Sequence, residues 1–111
     1  MRDTLTKMYK VGTNRGHNRV WIEGNMLLSF GFTRGLSFSR TMRADKMILV
    51  QEPEGKHTVA GTEARPIIDL NGKYLDELLY GFTHYDATFN AGCRAYNAFG
   101  PAFIMIQGVN Q

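Results

Sequence analysis

The sequence predicts a mainly β fold with short helices (α+β), built as two pseudo-symmetric halves of one domain spanning residues 1–111. Three observations predict it. Leu36 to Arg40 begins a run of alternating apolar and polar residues, the period-two pattern of a half-buried strand. Ahead of it, residues 19–35 run strand, Gly24, a short apolar segment, Gly31-Phe32 and a second turn at Gly35. A weaker copy of that order returns between Ile67 and Thr83.

Each element has a local reason. Residues 1–10 mix charge with Leu5, Met8 and Tyr9, and admit a helical turn, a strand or a tail. Residues 11–19 hold Gly12, Asn14, Gly16 and Asn18 among polar neighbours and read as a loop or wide turn. Val20 to Glu23 is rich in β-formers and predicts a strand, ended by Gly24. Asn25 is placed to cap a short helix over Met26 to Phe30, and Gly31 suits its C-terminus. Phe32 folds back on the core. From Leu36 to Met42, Leu36, Phe38 and Met42 are the inward candidates, with Ser37, Ser39 and Thr41 outward. Arg43 to Lys46 forms a hairpin turn into the strand Met47 to Gln51. Pro53 and Gly55 close that strand and open a linking loop over 53–65. Ile67 to Leu70 is the next strand and Asn71-Gly72 a turn. Lys73 to Tyr80 is a helix with Leu75, Leu78 and Leu79 at three-and-four spacing. Residues 85–89 and Ala102 to Ile106 are the last strands. The halves are expected at about 11–52 and 66–108.

The internal match can be written residue by residue. Val20, Ile22, Gly24 and Leu27 answer to Ile68, Leu70, Gly72 and Leu75. Phe30, Gly31, Phe32 and Thr33 answer to Tyr80, Gly81, Phe82 and Thr83, and Ile48 to Ile104. Sequence self-similarity of this kind marks a repeated structural unit.

Composition bounds the function. Apolar residues make up 43% and charged residues 21%, ordinary values for a globular domain. No apolar run is long enough for a membrane-spanning helix, and no apolar signal core opens the chain. Cys93 is the only cysteine, so no internal disulfide forms, and a cytoplasmic location is expected. The net charge of +3 is uneven. Residues 1–46 carry nine Lys/Arg and three acids, and the remainder four Lys/Arg and seven acids. That polarity is a hint of a half that faces a polyanion.

The order strand, Gly24, helix, Gly31-Phe32, Gly35, hairpin to Val50 resembles the swapped-hairpin domains of the SpoVT/AbrB superfamily, and SymE-like proteins in particular. The resemblance implies a small barrel closed by two such units that exchange hairpins, here within one chain or in a homodimer. It also implies DNA binding through basic residues on strands and loops of one face. The second copy departs from the pattern: it lacks the basic hairpin, and His84-Tyr85 stands where Arg34-Gly35 is expected.

The candidate contacts for nucleic acid are Arg15, Arg19, Arg34, Arg40, Arg43 and Lys46. Arginine offers forked donors that match phosphate, and Gly16 lets backbone N–H groups approach it. Trp21, between Val20 and Ile22, is expected to pack against protein rather than to stack on a base. Catalytic signals are thin. His17, His57 and His84 are scattered without metal-ligand spacing, and a Cys93–His84 dyad has no local motif to support it. No cofactor is expected. Asp76-Glu77 reads as the solvated face of a helix. The Tyr/Phe-rich stretch 80–103 divides into core residues (Phe82, Phe89, Phe103) and unassigned ones (Tyr85, Tyr96, Phe99). The expected function is a DNA-binding regulatory protein without enzymatic activity. The rival is a small phage- or mobile-element-encoded protein that binds and inhibits a bacterial defence or host protein.

Overall fold

The computed structural model describes residues 4–92 and 102–110. Readings that fall on Cys93, Tyr96 and Phe99 lie outside the described residues. The chain is mainly β, with ten strands and two short helices among the described residues. β1 (Thr4–Lys10) and β2 (Gly12–Asn14) precede β3 (His17–Glu23), α1 (Asn25–Ser29), β4 (Ser37–Arg43) and β5 (Lys46–Gln51). Then come β6 (His57–Thr58), β7 (Ala60–Gly61), β8 (Pro66–Asn71), α2 (Lys73–Leu78), β9 (His84–Asn90) and β10 (Phe103–Val109).

All pairing is antiparallel. A six-stranded sheet has the order β1-β9-β10-β5-β4-β6, and a four-stranded sheet the order β2-β3-β8-β7. Both orders are palindromes under one exchange: β1 with β6, β2 with β7, β3 with β8, β4 with β9, β5 with β10. The registers obey the same exchange. Tyr9 pairs with Tyr85 and His57 with Phe38, and both pairs stack with ring centroids 5.5 Å apart. The Val11 amide donates to the Thr83 carbonyl at 3.0 Å, and the Val59 amide to the Leu36 carbonyl at 2.9 Å. Each hairpin ends on an equivalent pair, Arg43 with Lys46 and Asn90 with Phe103.

These registers correct one correspondence. Ile48 does not answer to Ile104. Met47 and Leu49 are buried, as are Ile104 and Ile106, so they are the counterparts. A one-residue slip turns a strand's side chains to the other face. Residues 33–35 have no counterpart, because the Leu36 and Thr83 carbonyls hold equivalent places; Thr83 answers to Leu36 rather than to Thr33, and His84 to Ser37 rather than to Arg34.

The expected barrel does not close. Closure needs two strand neighbours for every strand. Here β4 and β9 spend their outer hydrogen bonds on β6 and β1, leaving two open sheets. A single buried cluster joins their inner faces. It holds Val20, Ile22, Phe38, Met47, Leu49, Ile68, Leu70, Phe89, Ile104 and Ile106, with Leu27, Leu75, Leu78 and Leu79 from the helical segments. The Tyr85 hydroxyl crosses this core. It accepts from the Trp21 amide at 3.2 Å and donates to the Trp21 carbonyl at 3.3 Å, tying the large sheet to the small one.

Several local expectations change. The N-terminal residues form a full edge strand, and residues 11–19 are a hairpin. Its two-residue turn is Arg15-Gly16, both at positive φ (53° and 84°), the geometry that matches strand twist. Gly24, not Asn25, caps α1, and no side chain bonds the cap. Met42 lies beyond the end of the core and is exposed. Phe82 is exposed too, and Phe103 points away from the core because Ile104 points into it. The linking segment contains β6 and β7. Gly55 lets that segment cross β4, since a Cβ there would lie 2.3 Å from the Phe38 carbonyl group.

Candidate nucleic-acid interface

The six basic candidates are distributed over three places. Arg15 sits at the tip of the β2–β3 hairpin and is exposed. Arg34 is exposed in the turn after α1. Arg43 and Lys46 face each other across the β4–β5 tip, on the outer face of the six-stranded sheet. Their tip is closed by Ala44-Asp45, where the Gln107 side chain donates to Asp45 at 3.0 Å. Arg40 is three residues back along β4. Strand alternation places it on the inner face with Phe38 and Met42, so Arg40 and Arg43 do not share a face.

Two of the six are already engaged. Arg19 makes a forked pair with Asp69, at 2.7 Å from Nε and 2.8 Å from an Nη, and lies 4.4 Å from the Trp21 ring centre. Asp69 stands opposite Trp21 in the β3–β8 register, which brings the pair together. Such bidentate geometry uses the donors a phosphate would need. Trp21 thus packs beneath Arg19 while remaining 38% exposed. The Arg40 guanidinium lies 4.3 Å from the ring centre of Tyr74 on α2. Among the described residues, Arg15, Arg34, Arg43 and Lys46 have no carboxylate partner.

The histidines stand apart. His17 Nδ1–H donates to Asp76 at 2.6 Å, and the Asn18 amide donates to the same carboxylate at 2.7 Å. The His17 hydrogen bond, then that amide, holds the Asp76 carboxyl below its usual range. Asp76 is therefore the partner of the β3 hairpin and not merely a solvated face. His57 stacks on Phe38, and burial, then Arg40 and Lys56, lower its pKa. His84 shares a 2.7 Å hydrogen bond with the Thr83 hydroxyl.

The residues missed by sequence reasoning cluster beside Arg40. A cavity of about 360 Å³ is lined by Ser39, Arg40, Glu52, Glu54, Gly55, Lys56 and His57. No periodic signal marks Lys56 or His57, since both lie in or next to a loop. The Tyr74 platform is likewise invisible until α2, packed on β3 and β8, brings its ring under Arg40.

Comparison with known protein families, with curated proteins and with solved structures finds no match for this chain. Among the described residues, no helix is long and apolar enough to cross a membrane.

Proposed function

We propose that the chain is a fused pair of swapped-hairpin-type units that binds nucleic acid, DNA first, through the basic turns of its first unit. One observation carries the reading. At the equivalent positions of the second unit, Glu63 replaces Arg15, Ile67 Arg19, Ala87 Arg40, Asn90 Arg43 and Phe103 Lys46, and Arg34 has no counterpart. The strand pairing is repeated while these six cations are not, and the second unit carries Lys56, Arg65 and Lys73 at other positions.

Arg15, Arg34, Arg43 and Lys46 are the phosphate contacts, being free of carboxylates among the described residues. Arg19 and Arg40 serve other groups first. Because the second unit does not repeat these cations, the bound site is not palindromic, and backbone contact dominates base reading. Four phosphate contacts imply a log–log salt slope of about −3 to −4 on duplex DNA. Gel-shift or anisotropy titrations from low to moderate salt measure it. Replacing Arg43 and Lys46 together with Ala should flatten the slope by about 2. Absence of binding to any duplex or RNA at low salt, with the fold intact by circular dichroism, overturns the proposal.

A further inference from the structure

The two outer strands of the six-stranded sheet are not equally covered. β9 is paired along its whole length, Thr4↔Asn90 through Lys10↔His84. Its counterpart β4 is paired on the outer side only at Ser37↔Thr58 and Phe38↔His57. From Ser39 to Arg43, no described residue pairs with that edge. The cause is covalent. The chain leaves β5, turns through a Gly55 amide bond to the Glu52 carbonyl at 2.9 Å, and crosses β4 on Gly55. It reaches the outer edge only at His57. β1 has no such crossing to make and runs on along β9.

The open edge has a definite chemistry. The Glu52 amide bonds the Ser37 carbonyl, so odd-numbered β4 residues direct their backbone groups at β5. The alternate residues, Arg40 and Met42, therefore direct one N–H and one C=O each at the side that no described residue pairs. Side chains of a strand seated there follow from the filled copy. There, Leu5 stands opposite Phe89 and Lys7 opposite Ala87. Here, the same places stand opposite Met42, 39% exposed, and Arg40. An incoming strand antiparallel to β4 meets His57 head-on after the residue opposite Ser39. The cavity of about 360 Å³ lies at that stop, with Arg40, Lys56 and His57 in its wall alongside Glu52 and Glu54.

We propose that the β4 edge from Ser39 to Arg43 receives the C-terminal tail of another protein as an added antiparallel strand. The tail places an apolar side chain opposite Met42, an acidic one opposite Arg40, and its terminal carboxylate in the cavity beside Lys56 and His57. Main-chain pairing supplies affinity and alternate side chains supply selectivity. A second copy of this chain seated by its β1 in the register of the filled edge is disfavoured, because it would set Lys7 against Arg40, a like-charge pair across strands. Arg40 and Lys56, which with burial lower the His57 pKa, are the cations that attract an arriving carboxylate.

The probe is a fluorescein-labelled peptide Thr-Leu-Thr-Glu-Thr with a free carboxylate, titrated by anisotropy into the full chain. The free acid should bind, the C-terminal amide at least ten-fold more weakly, and the peptide with Lys in place of Glu more weakly again. Arg40→Met, checked for folding by circular dichroism, should weaken the free acid at least ten-fold. Hydrogen exchange should show the Arg40 and Met42 amides slowed by saturating peptide. Equal binding of acid and amide overturns the carboxylate seat. No binding at millimolar peptide, or Arg40 and Met42 amides already protected in the free chain, overturns the open edge. Displacement of bound peptide by a short single-stranded oligonucleotide reassigns the cavity to nucleic acid. Concentration-dependent dimerisation that buries these amides reassigns the edge to a second copy.

Discussion

Removing one hydroxyl from Tyr85 and one from Tyr9 should move stability in opposite directions. The rings stack on each other, 5.5 Å apart, so the two deletions share an environment. Their hydroxyls do not. Tyr85 bonds both the amide and the carbonyl of Trp21, whereas the Tyr9 hydroxyl is buried without a partner among the described residues. Tyr85→Phe loses two hydrogen bonds, each worth about 0.5–1.5 kcal/mol net, and strands two backbone groups of β3 just past the end of β2. The expected cost is about 2–3 kcal/mol. Tyr9→Phe removes an unsatisfied hydroxyl and should gain about 1 kcal/mol. With 111 residues and about 2.1 cal/mol/K per residue, these become a fall in Tm of roughly 8–13 °C and a rise of roughly 4 °C. Urea titration at constant m-value checks the free energies, and calorimetry the Tm. The reasoning is refuted if both variants shift the same way, or if Tyr85→Phe costs under about 0.5 kcal/mol, since water would then serve Trp21.

Three further outcomes follow from local geometry. Gly55→Ala should cost about 2–3 kcal/mol in urea denaturation, because its Cβ would meet the backbone of Phe38, which cannot rotate away. Ala44→Gly should stabilise the chain by about 0.5 kcal/mol, since Ala44 holds φ at 54°, where a Cβ is strained; thermal melts resolve the shift. Stability should fall as pH drops below about 6.5, because the folded state resists protonation of His57 that the unfolded chain accepts. His57→Gln should flatten that limb between pH 5 and 7.5. Asp76, held low by His17, loses its contribution only as pH falls from about 4, so the two effects separate.

Much of the fold was legible because period and glycine position are local. Leu36 to Arg40 alternates about Phe38, which is buried between half-buried neighbours, and Gly31 takes the positive φ of 82° that a helix end requires. The palindromic pairing of β3 with β8 was foreshadowed by Val20, Ile22 and Leu27 for the same reason. The link between copies was misjudged at Ile48, where two apolar neighbours compete and only register decides which faces inward. β1 is one of three readings that residues 1–10 admit, and β6 and β7 fall in a stretch that reads as a linking loop, because edge strands are held by backbone bonds to distant partners, not by an apolar rhythm of their own. The basic residues were visible as charges. Their engagement was not: Arg19 depends on Asp69 arriving from fifty residues away, and Arg40 on Tyr74 from another element.

The palindromic pairing also sets the order in which this chain can fold during synthesis. The β4–β5 hairpin closes over two residues and can form at once. β3 must wait for β8, and β1 for β9, whose contacts include Thr6 with Thr88 across 82 residues. Contact order is therefore high, and such topologies fold slowly. β1 leaves the ribosome well before β9 and is among the last strands to find its partner. Its Lys7 and Lys10 are then guardians of an unpaired edge in the nascent chain, before they belong to any finished surface.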